Sequence, residues 1–377
     1  MSKICMVTSI HPDFDARIFK MAKYLAAEGH DISLVCPWKV EEGLKDGINF
    51  YPFQGGGSRI RRYKNLRTIW RKLQNLECEI YHFHDLDLLP LFILFKISLG
   101  RNKYVVYDMH ENYPEEMWHK PYLPKALKPF VVLTVKLTEW LGINIVRNLV
   151  VVEDNQEITH SNKHIRTVKI RNFASRDLAN GRQDNYLERS NTVIFTGSQY
   201  ESNGSLLFLE IAKIVHAQEP EIKFQCIERF GSDFKFREEM LRRIEQYGLK
   251  ETVTFLPNIP PYKIMDYLNA ATIALVPVLD IPRHRKAIPN KIFEYMAAGL
   301  PIVASDLPYN KLFIEQSASG FIANPASPED FAYKIIQLSN NKASALKMGL
   351  KGIQAFESLY NWENESKKLT SFYMELY

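Results

Sequence analysis

The chain has 377 residues, 46% of them hydrophobic and 24% charged, with 48 lysines and arginines against 43 acidic residues and a net charge of +5 at pH 7. That make-up excludes a disordered tail, a collagen-like repeat and a small disulfide-stapled module, and leaves room for about two domains. So small a positive excess does not suit a nucleic-acid binder, which concentrates far more positive charge in one region, and no nucleic-acid partner is expected.

Cys5, Cys36, Cys78 and Cys226 are far apart, without metal-ligand spacing, and read as reduced thiols in apolar strands. This favours a cytoplasmic chain. The opening MSKICMVTS has too short an apolar stretch for a secretion leader. The apolar runs Leu88–Leu94 and Phe130–Val135 are broken by Lys96 and by Lys136 and Glu139. Both fall short of the roughly 18 residues a bilayer requires, so no membrane span is expected.

In chain order the first half gives a strand at Ile4–Thr8, a helix around Phe14–Glu28 and strands at Ile32–Cys36 and Ile80–Phe83, then a helix at Leu88–Leu99 and strands at Tyr104–Tyr107 and Val150–Val152. A second series follows at Val193–Thr196, Ile222–Ile227, Val253–Leu256, Ile273–Val276, Pro301–Ala304 and Phe321–Ile322. Apolar strands alternating with helices specify parallel sheets covered on both faces. The predicted architecture is α/β, with two doubly wound Rossmann-like domains: an N-terminal domain over 1–170, a polar linker over 171–190 and a C-terminal domain over 191–360. A helix over 361–377 carries an aromatic stripe that must be buried, and crossing back onto the first domain is one way to bury it.

The most informative stretch is Ile288-Pro289-Asn290-Lys291-Ile292-Phe293-Glu294-Tyr295-Met296-Ala297-Ala298-Gly299, followed by a strand. Pro289 suits the first turn of a helix and Gly299 its end. The free amides of Asn290 and Lys291 would attract phosphate at the carboxyl edge of the sheet, where open α/β sheets bind ligands. Glu294 could accept both hydroxyls of a nucleotide ribose, or could simply stabilise the first helical turn.

With Met6-Val7-Thr8-Ser9, His11-Pro12-Asp13-Phe14-Asp15-Ala16-Arg17-Ile18, His82-Phe83-His84-Asp85 and Tyr107-Asp108-Met109-His110-Glu111, that stretch resembles the retaining glycosyltransferases of family 4. The resemblance implies the GT-B architecture, two Rossmann-like domains facing across a cleft, and a nucleoside diphosphate sugar as donor, with no cofactor and no metal. Glu294 matches the ribose-binding second glutamate of the family's Glu-x7-Glu motif. His110 matches the catalytic position, with Asp15 and Arg17 on the acceptor side. Gly197, Ser198, Arg229, Lys286, Asn290 and Lys291 are assigned with Glu294 to the nucleotide sugar. In the similar enzymes the leaving phosphate helps to deprotonate the acceptor, so positive charge and amides on the diphosphate carry much of the catalysis.

The chain departs from the family where that charge should be. Lys286 stands where the first glutamate of the motif belongs, and Ser198 and Asn203 stand where the loop Thr196–Gly204 normally carries cations. The cluster Arg283-His284-Arg285-Lys286 reads either as the compensation, with one or two of its side chains and Lys291 or Arg229 reaching the diphosphate, or as a solvated basic loop. Asp85-Leu86-Asp87 has the letters of a metal motif, but acidic residues are ordinary where a helix opens.

Seven basic residues and no acidic one lie between Arg59 and Lys72, and Trp118-His119-Lys120-Pro121-Tyr122 follows later. The pattern suits an anionic membrane surface at the inner leaflet and a saccharide or lipid-linked acceptor; the alternative is a solvated helix with core aromatics. The leading reading is a retaining glycosyltransferase of cell-surface polysaccharide or glycan synthesis. The alternative is a non-catalytic GT-B subunit that activates a partner transferase.

Overall fold

A computed structural model of the chain describes every residue except 12–16, 38–41, 56–58, 99–102, 111–112, 120–122, 155, 157–163, 232 and 261–262. The predicted site residue Asp15 lies outside the described residues. The chain forms two compact units, Met1–Asn172 with Glu365–Tyr377, and Phe173–Asn364.

The first unit is built on strands β1 (Lys3–Val7), β2 (Asp31–Pro37), β3 (Gly43–Lys45), β4 (Ile48–Phe53), β5 (Ile80–Phe83), β6 (Tyr104–Met109), β7 (Asn148–Val151) and β8 (Arg166–Lys169), in the order β3-β4-β2-β1-β5-β6-β7-β8. All pairs are parallel except β3 with β4. Ile4, Cys5, Met6 and Val7 are all buried, as an unbroken apolar run in a doubly covered sheet must be. Helix Ile18–Ala27 buries Ile18, Met21, Ala22 and Leu25, a single stripe at helical spacing.

Helices Arg59–Asn75, Leu89–Ser98, Tyr113–His119 and Lys128–Val146 complete the unit. A Cβ on Gly142 would lie 2.5 Å from Leu89 Cδ1, so the glycine lets Lys128–Val146 seat directly against Leu89–Ser98. The apolar run Phe130–Val135 is part of the longer helix Lys128–Val146. The helix has 19 residues, and an 18-residue window of it, mean hydropathy 1.4, is long and apolar enough to cross a membrane, because helix formation joins the residues on both sides of Lys136 and Glu139 into one element.

The second unit has β9 (Thr192–Phe195), β10 (Lys223–Ile227), β11 (Val253–Leu256), β12 (Ile273–Val276), β13 (Ile302–Ser305) and β14 (Gly320–Ala323), all parallel, in the order β11-β10-β9-β12-β13-β14. Phe173 and Tyr186, from the stretch read as a linker, are buried in its core, with the Phe173 ring 4.3 Å from that of Phe293. The last helix, Trp362–Met374, carries the aromatic stripe, and Leu369, Phe372 and Tyr373 are buried. From Glu365 onward this segment belongs to the first unit.

Each sheet reverses its winding once, between β1 and β5 in the first unit and between β9 and β12 in the second. Loops diverge to opposite sides at such a point and leave a crevice at the carboxyl ends of the strands.

Candidate active site

In the second unit the winding reversal is occupied by the loop after β9. Thr196 closes the strand by donating its amide to the Tyr295 hydroxyl at 2.9 Å. Gly197 then adopts φ +112°, and a Cβ there would lie 2.9 Å from Lys291 Nζ. Only a glycine lets the lysine ammonium come so close to this backbone. Gln199 is fully buried and fixes the loop, donating its amide to Arg229 O at 2.8 Å and accepting from Ser205 Oγ at 2.9 Å. Gly204, at φ +82°, ends the loop where a Cβ would fall 1.7 Å from Pro277 O.

Helix Lys291–Ala297 opens at Asn290, with no side chain capping its amino end. The first helical carbonyls, Pro289 O and Asn290 O, accept from Ile292 and Phe293, so the amides of Asn290 and Lys291 precede the ladder. Lys291 is half-buried, its ammonium 4.6 Å from the centre of the Phe195 ring. Desolvation pulls it from its ordinary 10.5 down to about 8, against the opposing charge of Glu294. Glu294 is half-buried one turn along the helix.

The other predicted residues of this unit divide into two groups. Asn203 does not face a ligand, because its Nδ2 donates to Ser198 O at 2.9 Å and braces the loop that Ser198 belongs to. Arg229 lies two residues past β10 beside the loop, but its guanidinium is held by Asn258 Oδ1 at 3.0 Å and Ile259 O at 3.3 Å. In the basic cluster, now the short helix Pro282–Lys286, Arg285 chelates Asp280, with Nε at 2.5 Å and Nη2 at 2.7 Å. His284 Nδ1 lies 3.0 Å from Leu279 O. Lys286 is exposed at the end of this turn. Among the described residues, the cation against the Cβ position of Gly197 is Lys291.

In the first unit, β1, β5 and β6 deliver a second cluster. His82 and His84 alternate along β5 onto one face, and Asp108 and His110 do the same along and just beyond β6. His110 Nε2 lies 3.4 Å from Asp108 Oδ2 and 3.3 Å from His84 Nδ1, and its side chain is 13% exposed. Arg17 does not line a surface. It is buried, clamping Asp108 through Nε at 3.1 Å and Nη2 at 3.0 Å, and its Nη1 donates to Ile170 O. Burial would raise the Asp108 carboxyl, yet Arg17 and then His110 hold it well below the carboxylate range. Arg17 thus sets the carboxylate that orients His110.

Asp85 is a structural hub. It accepts from Thr8 Oγ1 at 2.7 Å and from the Ser9 amide at 2.6 Å, and pairs with His11 Nε2 at 3.2 Å. Asp87 accepts from Ser9 Oγ at 2.7 Å. The donors of His82, His84 and Asp108 lie within 4.8 Å of one another, close enough for a metal. However, the two imidazoles stack with centroids 4.5 Å apart and planes 22° apart, so their in-plane lone pairs run side by side. Both Asp108 oxygens already take Arg17. This donor set suits a hydrogen-bonded core better than an ion.

Sequence reasoning missed His11, whose ring centre lies 5.3 Å from that of His110, and the joining of His84 with Asp108. The period of two in His82-Phe83-His84 was the available signal.

Comparison with known proteins gives two family models, Glycosyltransferase Family 4 over residues 16–171 and Glycosyl transferases group 1 over residues 190–341. Among curated relatives, a D-inositol 3-phosphate glycosyltransferase of Nocardia farcinica is 23% identical over 143 residues, 38% of this chain and 30% of that protein. The amylovoran biosynthesis glycosyltransferase AmsK of Erwinia amylovora is 29% identical over 114 residues, 30% of this chain and 28% of that protein. The chain thus matches less than a third of the length of either relative. Among solved structures, Anabaena Alr3699/HepE in complex with UDP and glucose has a TM-score of 0.71 at 12% identity and covers the whole of both chains.

Proposed function

The chain belongs to the family 4 glycosyltransferases and has their GT-B fold, and from that premise we propose a retaining transferase that moves a sugar from a nucleoside diphosphate to a saccharide or lipid-linked acceptor. Relatives named for D-inositol 3-phosphate and amylovoran support a place in glycan or polysaccharide synthesis, and the UDP and glucose held by the Anabaena protein support the donor class.

The second unit takes the donor. Glu294 accepts the ribose hydroxyls, and the amides of Asn290 and Lys291 face the phosphates, where the helix dipole favours negative charge. Gly197 lets the loop backbone approach the diphosphate. Lys291 Nζ supplies the cation that Ser198 and Asn203 lack. As the glycosidic bond breaks, negative charge builds on the leaving phosphate, and a partly desolvated ammonium stabilises it more strongly than a hydrated one would. In the first unit His110 orients the sugar and the acceptor, with Asp108 and Arg17 as positioning residues behind it. The phosphate itself takes the acceptor proton.

The observation that carries this reading is the 2.9 Å approach of Lys291 Nζ to the Cβ position of Gly197. It also supports a cation for the loop that Ser198 and Asn203 leave uncharged, one of the two departures that motivate a non-catalytic subunit; the carboxylate replaced by Lys286 is the other. Titration calorimetry with UDP and GDP tests both points. The native chain is expected to bind at least one of them, and Lys291→Met to weaken that binding by about tenfold or more, the worth of a charge-assisted phosphate contact. No binding by the native chain would return the activating-subunit reading.

A further inference from the structure

Helix Lys128–Val146 buries Glu139, Gly142, Ile143 and Val146 and exposes its opposite side. That side carries Phe130, Leu133, Leu137, Trp140 and Leu141, between 46% and 71% exposed. Leu94 and Ile97 of the adjoining helix Leu89–Ser98 are 60% and 70% exposed, and Trp118 of helix Tyr113–His119 is 49% exposed. Among the described residues, Lys136 is the exposed charge within Lys128–Val146, and Lys128 donates to Trp118 O at 2.8 Å. Single exposed apolar side chains need no explanation, but a row of this extent on neighbouring helices marks an interaction surface.

The topology adds charge to the same side of the sheet. The connections β4 to β5, β5 to β6 and β6 to β7 all step in one direction across the sheet. Right-handed crossovers therefore put helix Arg59–Asn75, helix Leu89–Ser98 and helix Lys128–Val146 on one face. The side chains agree, with Trp70 edge-on to Phe95 at 5.5 Å and Leu89 against Gly142. Helix Arg59–Asn75 holds seven basic residues and no acidic one, and Lys64, Arg67 and Arg71 are exposed.

We infer that this face lies on an anionic lipid bilayer, with Phe130, Leu133, Leu137 and Trp140 entering the headgroup boundary and the basic helix Arg59–Asn75 facing acidic headgroups. Spanning is excluded by the fold. The helix joins β6 to β7, which pair in one parallel sheet, and Ile143 and Val146 are part of the core beneath it.

The test is flotation of the full chain with phosphatidylcholine vesicles with and without phosphatidylglycerol. The native chain is expected to float with the anionic vesicles, to be released by alkaline carbonate, and to bind several-fold more weakly when salt is raised. Phe130→Ser with Leu137→Ser and Trp140→Ser is expected to lose about tenfold or more in vesicle affinity. Lys64→Glu with Arg67→Glu and Arg71→Glu is expected to lose the preference for anionic lipid. On the unaltered chain, brominated acyl chains should quench tryptophan emission, and less so in Trp140→Phe, a readout independent of whether the triple variants fold. Absence of flotation, equal binding by the apolar triple variant, or a dimer that this variant converts to monomer would each overturn the inference.

Discussion

Replacing Glu139 by glutamine should stabilise the first unit above about pH 4.5, increasingly up to neutrality. Glu139 is buried beneath helix Lys128–Val146, with Tyr107 Oη 3.4 Å from its Oε1. Burial lifts its carboxyl from the ordinary 4.5 to about 7, against the weaker opposing pull of that hydroxyl. The folded chain therefore holds a proton that the unfolded chain releases between pH 4.5 and 7, and stability falls as pH rises through that window. At about 1.4 kcal/mol per pH unit the loss reaches about 3 kcal/mol above pH 7. Glu139→Gln keeps an acceptor for Tyr107 and removes the ionisation. Scanning calorimetry should find the variant level with the native chain at about pH 4.5. At about pH 8 it should melt about 6–12 °C higher, at the few degrees per kcal/mol of a unit this size. Parallel melting curves across the whole range would refute the reasoning.

Arg17→Met leaves the Asp108 carboxylate buried without its cation and should cost about 3–5 kcal/mol by urea unfolding at about pH 7. Because Arg17 holds the Asp108 carboxyl low, that stabilisation is present at neutral pH and is lost as pH falls below the carboxylate range. Adding Asp108→Asn should recover part of it, and a cost below about 1 kcal/mol would show that the clamp is incidental. Gly204→Ala must shift either the β9 loop or Pro277, since its Cβ would sit 1.7 Å from a backbone oxygen at positive φ. A loss of about 3 kcal/mol or more is expected, and a native melting curve would contradict so close an approach of the two backbones. With Lys291 titrating at about 8, UDP affinity followed by calorimetry should be highest below pH 8 and decline above it, as the free ammonium loses its proton. An affinity that rises with pH would exclude Lys291 as the phosphate cation.

Most strands of both sheets were legible because short unbroken apolar runs such as Ile4–Val7 and Ile273–Val276, alternating with longer helical patterns, suit parallel strands covered on both faces. β4 was not, since Pro52 interrupts its pattern, and β8 is an edge strand of mostly polar residues. Glu294 and His110 were singled out through motif letters that lie close together in the chain. The partners that give the site its character are distant. Arg17 and Asp108 are 91 residues apart, and Lys291 gains its place only because Gly197 has no side chain. Asn203 could be seen to lack a charge, but its bond to Ser198 O belongs to the folded loop. Helix Lys128–Val146 is apolar on every side, so no periodicity in it tells which face the sheet covers and which is left bare.

The most direct measurement is a crystal of the chain soaked with UDP. The diphosphate should lie within hydrogen-bond distance of Lys291 Nζ and of the backbone amides after Gly197, with the ribose hydroxyls on Glu294. Density for the nucleotide away from the β9 loop, or phosphates held by Arg229 and Arg285 while Lys291 stays against Phe195, would contradict the account.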